Sequence, residues 1–173
     1  YGLVMNAIEV ALDIRREINA HPLISRFFSI VGADGMVPKE YRPSGFVDFL
    51  APGTRWDEQL RSMREDEFCL DPTRMTLVCG SAGFDGTSFK GLLASEYNIQ
   101  VNKTSRNSVL LQSNINNTRS DVALLISVLL KISNEIETRL KQAGEAERKA
   151  FDARVHSLMN DVPDLPNFSR FHD

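Results

Sequence analysis

Residues 98–130 read NIQVNKTSRNSVLLQSNINNTRSDVALLISVLL, two short strand-like runs around a polar turn followed by a capped apolar helix. The first run, 99–101, is brief. Lys103, Thr104, Ser105, Arg106 and Asn107 supply turn-prone polar residues before the second, β-rich run at 108–112, so a β-hairpin is expected. After Asn116-Asn117, Thr118 stands three residues before Asp121 in the spacing of a capping box, and a helix should start there.

Working outward, that helix should run over 121–140. Val122, Leu125, Ile126, Leu129, Ile132, Ile136 and Leu140 form one stripe, and Leu124, Val128 and Leu130 widen it, which predicts a helix buried on most sides. Upstream, Met75 to Cys79 reads as a buried strand closed by Gly80. Asp85 is placed to cap a helix over 86–97 that packs through Phe89, Leu92 and Leu93. The order is strand, helix, hairpin, helix, and the expected class is α+β: a small, mainly antiparallel sheet packed with helices.

At the start of the chain, Val4, Ala7, Ile8, Ala11, Leu12, Arg15 and Ile18 recur at helical spacing, and His21-Pro22 should end that helix. The apolar run 24–31 suggests a strand. Residues 32–54 carry Pro38, Pro43 and Pro52 among Met36, Val37, Tyr41, Phe46, Val47 and Phe49, as in an ordered loop packed across a surface. A short helix is expected over 56–65, packing through Trp56, Leu60 and Met63 with Asp57 and Glu58 near its start. Gly144 should break the long helix. A charged, peripheral helix then covers 145–159, and an extended tail docks through Phe168 and Phe171.

The 173 residues are 42% hydrophobic and 25% charged with a formal net charge of −3, the balance of a globular chain without a basic field for nucleic acid. The most apolar run, 122–130, falls well short of the roughly 20 residues that span a bilayer. The chain opens on Tyr1 without the pattern of a secretory signal, as a trimmed or excised piece would. Cys69 and Cys79 match no zinc or redox spacing and read as two buried reduced thiols, which favours a cytoplasmic setting.

These segments resemble the C-terminal small domain of the bacterial ornithine/lysine/arginine decarboxylases, pyridoxal phosphate enzymes of the aspartate aminotransferase-like fold type I. The resemblance runs through Tyr41-Arg42-Pro43-Ser44, Asp71-Pro72-Thr73-Arg74, Gly83-Phe84-Asp85-Gly86, the stretch from Gln100 to Asn107, Asn116-Asn117-Thr118-Arg119-Ser120 and Leu165-Pro166-Asn167-Phe168-Ser169-Arg170-Phe171-His172. It implies three parts: an interdomain helix at 1–22, an α+β small domain at 23–142, and a peripheral helix with a docked tail at 143–173, the large cofactor-binding domain being absent. It also implies a parent lyase that removes the α-carboxylate of a basic amino acid, with this chain as one wall of the cleft and part of a homo-oligomer interface. Pyridoxal phosphate acts in such enzymes as an electron sink. The family's cofactor lysine lies in a Ser-x-His-Lys motif, and none of His21, His156 or His172 is followed by lysine, so the cofactor is not bound through a lysine of this chain and no catalytic residue is assigned in it.

Arg106 is the candidate substrate-binding residue. In related aminotransferases a small-domain arginine reaches the substrate α-carboxylate, and bidentate guanidinium chemistry suits that task. A solvated hairpin arginine is the plainer alternative. Lys103 and Thr104 share its turn, and Arg119 opens the long helix where a cation opposes the dipole. Gly80, Gly83 and Gly86 superficially suggest a phosphate cradle, but a tight strand-to-helix connection explains them. The scattered histidines offer no metal spacing. A free-standing interaction or regulatory domain of the same fold is the alternative to an enzyme's domain. The apolar surface of the first helix, the aromatic loop and the long helix together favours a missing larger partner.

Overall fold

The computed structural model describes residues 2–49 and 56–162, with the side chains of 56–59 left aside. It is an α+β fold in which four antiparallel strands are ordered β1-β2-β4-β3: β1 Ser29–Ile30, β2 Arg74–Val78, β3 Lys103–Thr104 and β4 Ser108–Gln112. Six α-helices accompany them among the described residues: α1 Gly2–Ala20, α2 Ala33–Met36, α3 Trp56–Glu65, α4 Gly86–Tyr97, α5 Arg119–Gln142 and α6 Glu145–Asn160.

Period-two alternation turns one sheet face inward. Met75 pairs with Leu111 and Leu77 with Val109, and all four are buried, whereas the alternate pair Thr76 and Leu110 is partly exposed. Val10, Ile14 and Ile18 of α1, Phe89 and Leu93 of α4, and Leu125, Leu129 and Ile132 of α5 join those side chains in one apolar cluster. Phe89 stacks between Phe28 and Phe84 at centroid distances of 5.3 Å.

Polar side chains finish the edges. Asn19 accepts from the Ile30 amide (2.8 Å) and donates to the Ile30 carbonyl (3.0 Å), occupying the open edge of β1. The buried Ser113 hydroxyl donates to the Ala7 carbonyl (2.7 Å) and ties α1 to the end of β4. Arg15, only 2% exposed, donates to the Val31 (3.3 Å) and Arg74 (2.9 Å) carbonyls and lies over the Phe49 ring at 4.9 Å. That contact holds the end of the described loop against α1.

Several expectations are corrected. The first hairpin strand is β3 at Lys103–Thr104, not 99–101: the chain leaves α4 through left-handed Asn98, and the Ile99 amide is spent on the Leu93 carbonyl (2.9 Å). Pairing begins only where the Asn102 amide reaches Leu110 (2.9 Å), and Val101 is apolar because it packs on the core. The run 24–31 is not one strand. His21 Nδ1 accepts from the Leu23 and Ile24 amides, so the chain turns through a 3-10 segment, Ile24–Arg26, before the two residues of β1.

The buried stripe of α1 keeps Ala7, Ala11, Arg15 and Ile18 of the one expected but takes in Val10 and Ile14 and leaves Val4 exposed, because Val10 and Ile14 pack into the core cluster formed with the sheet and α5. Instead of being buried on most sides, α5 buries one side, and Leu124 stays 49% exposed because no described element packs over it. Leu60 and Met63 of α3 also stand open rather than packed. Cys79 is buried, and the loss of solvation pushes its thiol up to about 12, whereas Cys69 is exposed beside an apolar pocket. Residues 50–54 of the expected loop, the Trp56 side chain and the tail with Phe168 and Phe171 lie outside the described residues.

Candidate functional site

The glycines after β2 build a corner. A 3-10 turn, Gly80–Ala82, leads to Gly83 in the left-handed region (φ 80°), where a β-carbon would stand 3.0 Å from the Phe151 ring. Gly86 opens α4 against the hairpin, and a β-carbon there would lie 2.2 Å from the Ser105 carbonyl oxygen and 2.4 Å from that of Ser108. Close backbone approach is what this glycine provides, as the tight-connection reading expects. Asp85 caps α4 by accepting from the Ser88 amide (2.9 Å) and hydroxyl (2.7 Å). Those bonds, with Arg154 nearby, hold its carboxyl below the usual carboxylate range.

The corner brings the hairpin tip and the last turns of α6 to one place. A concavity of about 670 Å³ is lined there by Asp85, Thr87, Thr104, Arg106, Arg154 and Ser157, with Ser105 and Leu158. Arg106 Nη2 donates to the Ser157 carbonyl (3.1 Å) and hydroxyl (3.3 Å). From α6, Arg154 Nε donates to the Gly83 carbonyl (2.6 Å) and its Nη2 to Asp85 (3.4 Å). Both arginines are exposed, and Asp85 is the one carboxylate among the described residues of this wall.

Arg106 and Thr104 thus meet in one concavity, as expected of neighbours in a turn. Lys103 lies on the exposed strand β3 and does not line it, and neither does Arg119. Arg154 and Ser157 join Arg106 and Thr104 from α6. They lie 71 and 51 residues from their partners Gly83 and Arg106 in a helix that reads as uniformly charged, and no local pattern marks them.

A second concavity, about 430 Å³, is almost wholly apolar. It lies among Met5 and Ile8 of α1, Phe46 and Phe49, Leu60 and Met63 of α3, and Cys69. Near these residues in sequence, Leu3, Val4, Val47 and Phe68 are also about half exposed or more.

The other motifs serve the local fold. Arg42 Nε donates to the Val37 carbonyl (2.7 Å), the Ser44 hydroxyl to Asp66 (2.7 Å), and the Thr118 amide to Asp121 (2.7 Å), the last completing the expected reach of the capping box. Among the described residues no lysine lines either concavity. Among the described residues no group of three or more His, Cys, Asp or Glu is placed to hold a metal, and no helix is long and apolar enough to cross a membrane. No family model, curated protein or solved structure matches the chain.

Proposed function

We propose that the chain is the C-terminal small domain of a pyridoxal phosphate-dependent decarboxylase acting on a basic amino acid of the lysine, ornithine or arginine kind. The cofactor and its lysine belong to a larger domain outside this chain, and no step of the chemistry runs through a residue described here. The supporting observation is the apolar surface that the described residues leave exposed at Met5, Leu60, Met63 and Phe68. Removing such a surface from water stabilises a fold by roughly 25 cal/mol per Å², and a larger domain or a second subunit provides the cover.

In this proposal the hairpin carries Arg106 to one wall of the cleft. Its guanidinium uses one nitrogen inside the chain and keeps the others for a carboxylate. Closing this wall on the substrate would strengthen the contact by excluding water.

The test is Arg106→Ala in the complete enzyme. Loss of a substrate carboxylate contact raises KM or lowers kcat by about tenfold or more, equivalent to about 1.4 kcal/mol. Unchanged steady-state kinetics would remove Arg106 from the site.

A further inference from the structure

We propose that the concavity between the hairpin tip, the first turn of α4 and the last turns of α6 is a two-arginine oxyanion site, taking a carboxylate or a phosphoryl group between Arg106 and Arg154. This shares with the preceding section the view that Arg106 faces a ligand, but needs neither the cofactor nor a decarboxylation. What it adds is the second cation.

Arg154 and Ser157 stand three residues apart on α6 and so share one face, which is the face that meets Arg106. Two guanidinium groups from distant parts of the chain therefore line one hollow without being paired to each other. Their donors are far from exhausted. Arg106 engages Nη2 alone, leaving Nε and Nη1, and Arg154 engages Nε and Nη2, leaving Nη1. The Thr87 and Thr104 hydroxyls lie on the same wall.

Asp85 opposes an anion, yet its oxygens are already committed to the Ser88 amide and hydroxyl and to Arg154. Among the described residues, two cations against one satisfied carboxylate leave the wall net positive in a chain whose overall charge is −3. The start of α4 adds its partial positive charge to the same wall. A hollow of about 670 Å³ admits more than an inorganic ion, so the oxyanion would be one end of a larger molecule.

The experiment is a titration of the full chain with inorganic phosphate, and separately with acetate, at ionic strength held constant with chloride, following the arginine Nε–H signals by NMR. The expected result is that Arg106 and Arg154 move together, with one shared dissociation constant. Arg148, in the first turn of α6 with its Nε donating to the Leu140 carbonyl of α5, should stay still. Tighter binding of phosphate would identify a phosphoryl ligand, and equal or tighter binding of acetate a carboxylate.

Arg154→Lys keeps the charge that helps dock α6 but loses the planar fork, and should weaken binding about tenfold. Arg106→Ala with Arg154→Ala should abolish it. If neither anion moves the two signals more than chloride does, or if Arg106 moves while Arg154 does not, the two-arginine site is wrong. Binding that persists in a chain whose parent carries no cofactor would overturn the decarboxylase reading and leave this one intact. Normal dependence of kinetics on Arg106 with none on Arg154 would do the reverse.

Discussion

Helices α5 and α6 follow one another across Gly144 and are both rich in charge, yet different forces hold them. α5 buries Val122, Leu125, Val128, Leu129, Ile132 and Ile136, all in contact with the core, whereas α6 buries Leu158 alone. The remaining ties of α6 to the body include exposed arginines and the Phe151 ring beside Gly83. A helix fixed by apolar burial shares the stability of the whole domain. One fixed by polar contacts at a surface opens locally at lower cost, as ligand-binding elements often do.

The largest effect should follow Leu129→Ala. Leu129 has no exposed surface, so the cavity should cost about 2–5 kcal/mol in denaturant unfolding. An equal loss from truncating an α6 side chain would break the contrast. Gly86→Ala comes next, since its β-carbon meets the Ser105 and Ser108 carbonyls, and should cost about 1–3 kcal/mol while shifting the amide signals of the hairpin tip.

Leu158→Ala sharpens the comparison. It should cost roughly 1–2 kcal/mol by lost burial, and hydrogen exchange should quicken across α6 while α5 remains protected. Uniform quickening of both helices would mean that they unfold as one unit.

The smallest effect has a pH signature. Asp85→Ala removes the cap of α4 and should cost about 1 kcal/mol at neutral pH. Because the folded carboxyl titrates below its ordinary value, its stabilising effect is present above the ordinary carboxylate range and is lost as pH falls through the depressed value. The wild-type and variant stabilities should therefore converge in acid. A gap independent of pH would show that the charge of Asp85 does not matter to the cap.

Where structure follows local chemistry, it can be read from the residues. The bounds of α3 and β4, the Asp85 cap of α4 and the Thr118-Asp121 box all follow from turn and cap residues beside apolar periods. The misplacement of β3 has a physical source. Ile99 and Val101 are apolar because they face the core, while strand pairing falls to the exposed Lys103 and Thr104. The apolar residues of α5 outnumber what the described elements cover, so their count overstates its burial. Of the candidate site, Arg106 stands out in its turn, but Arg154 and Ser157 acquire meaning only when α6 folds back on the glycine corner.

The decisive measurement is on the polypeptide from its source cells. Borohydride reduction of an extract, isolation of the chain containing residues 98–121, and its intact mass would show whether a pyridoxyl-lysine accompanies this domain. A much longer chain with pyridoxyl-lysine upstream of Tyr1 is the result expected of a decarboxylase domain. A mature chain of 19.4 kDa without the modification would contradict it and leave an independent module.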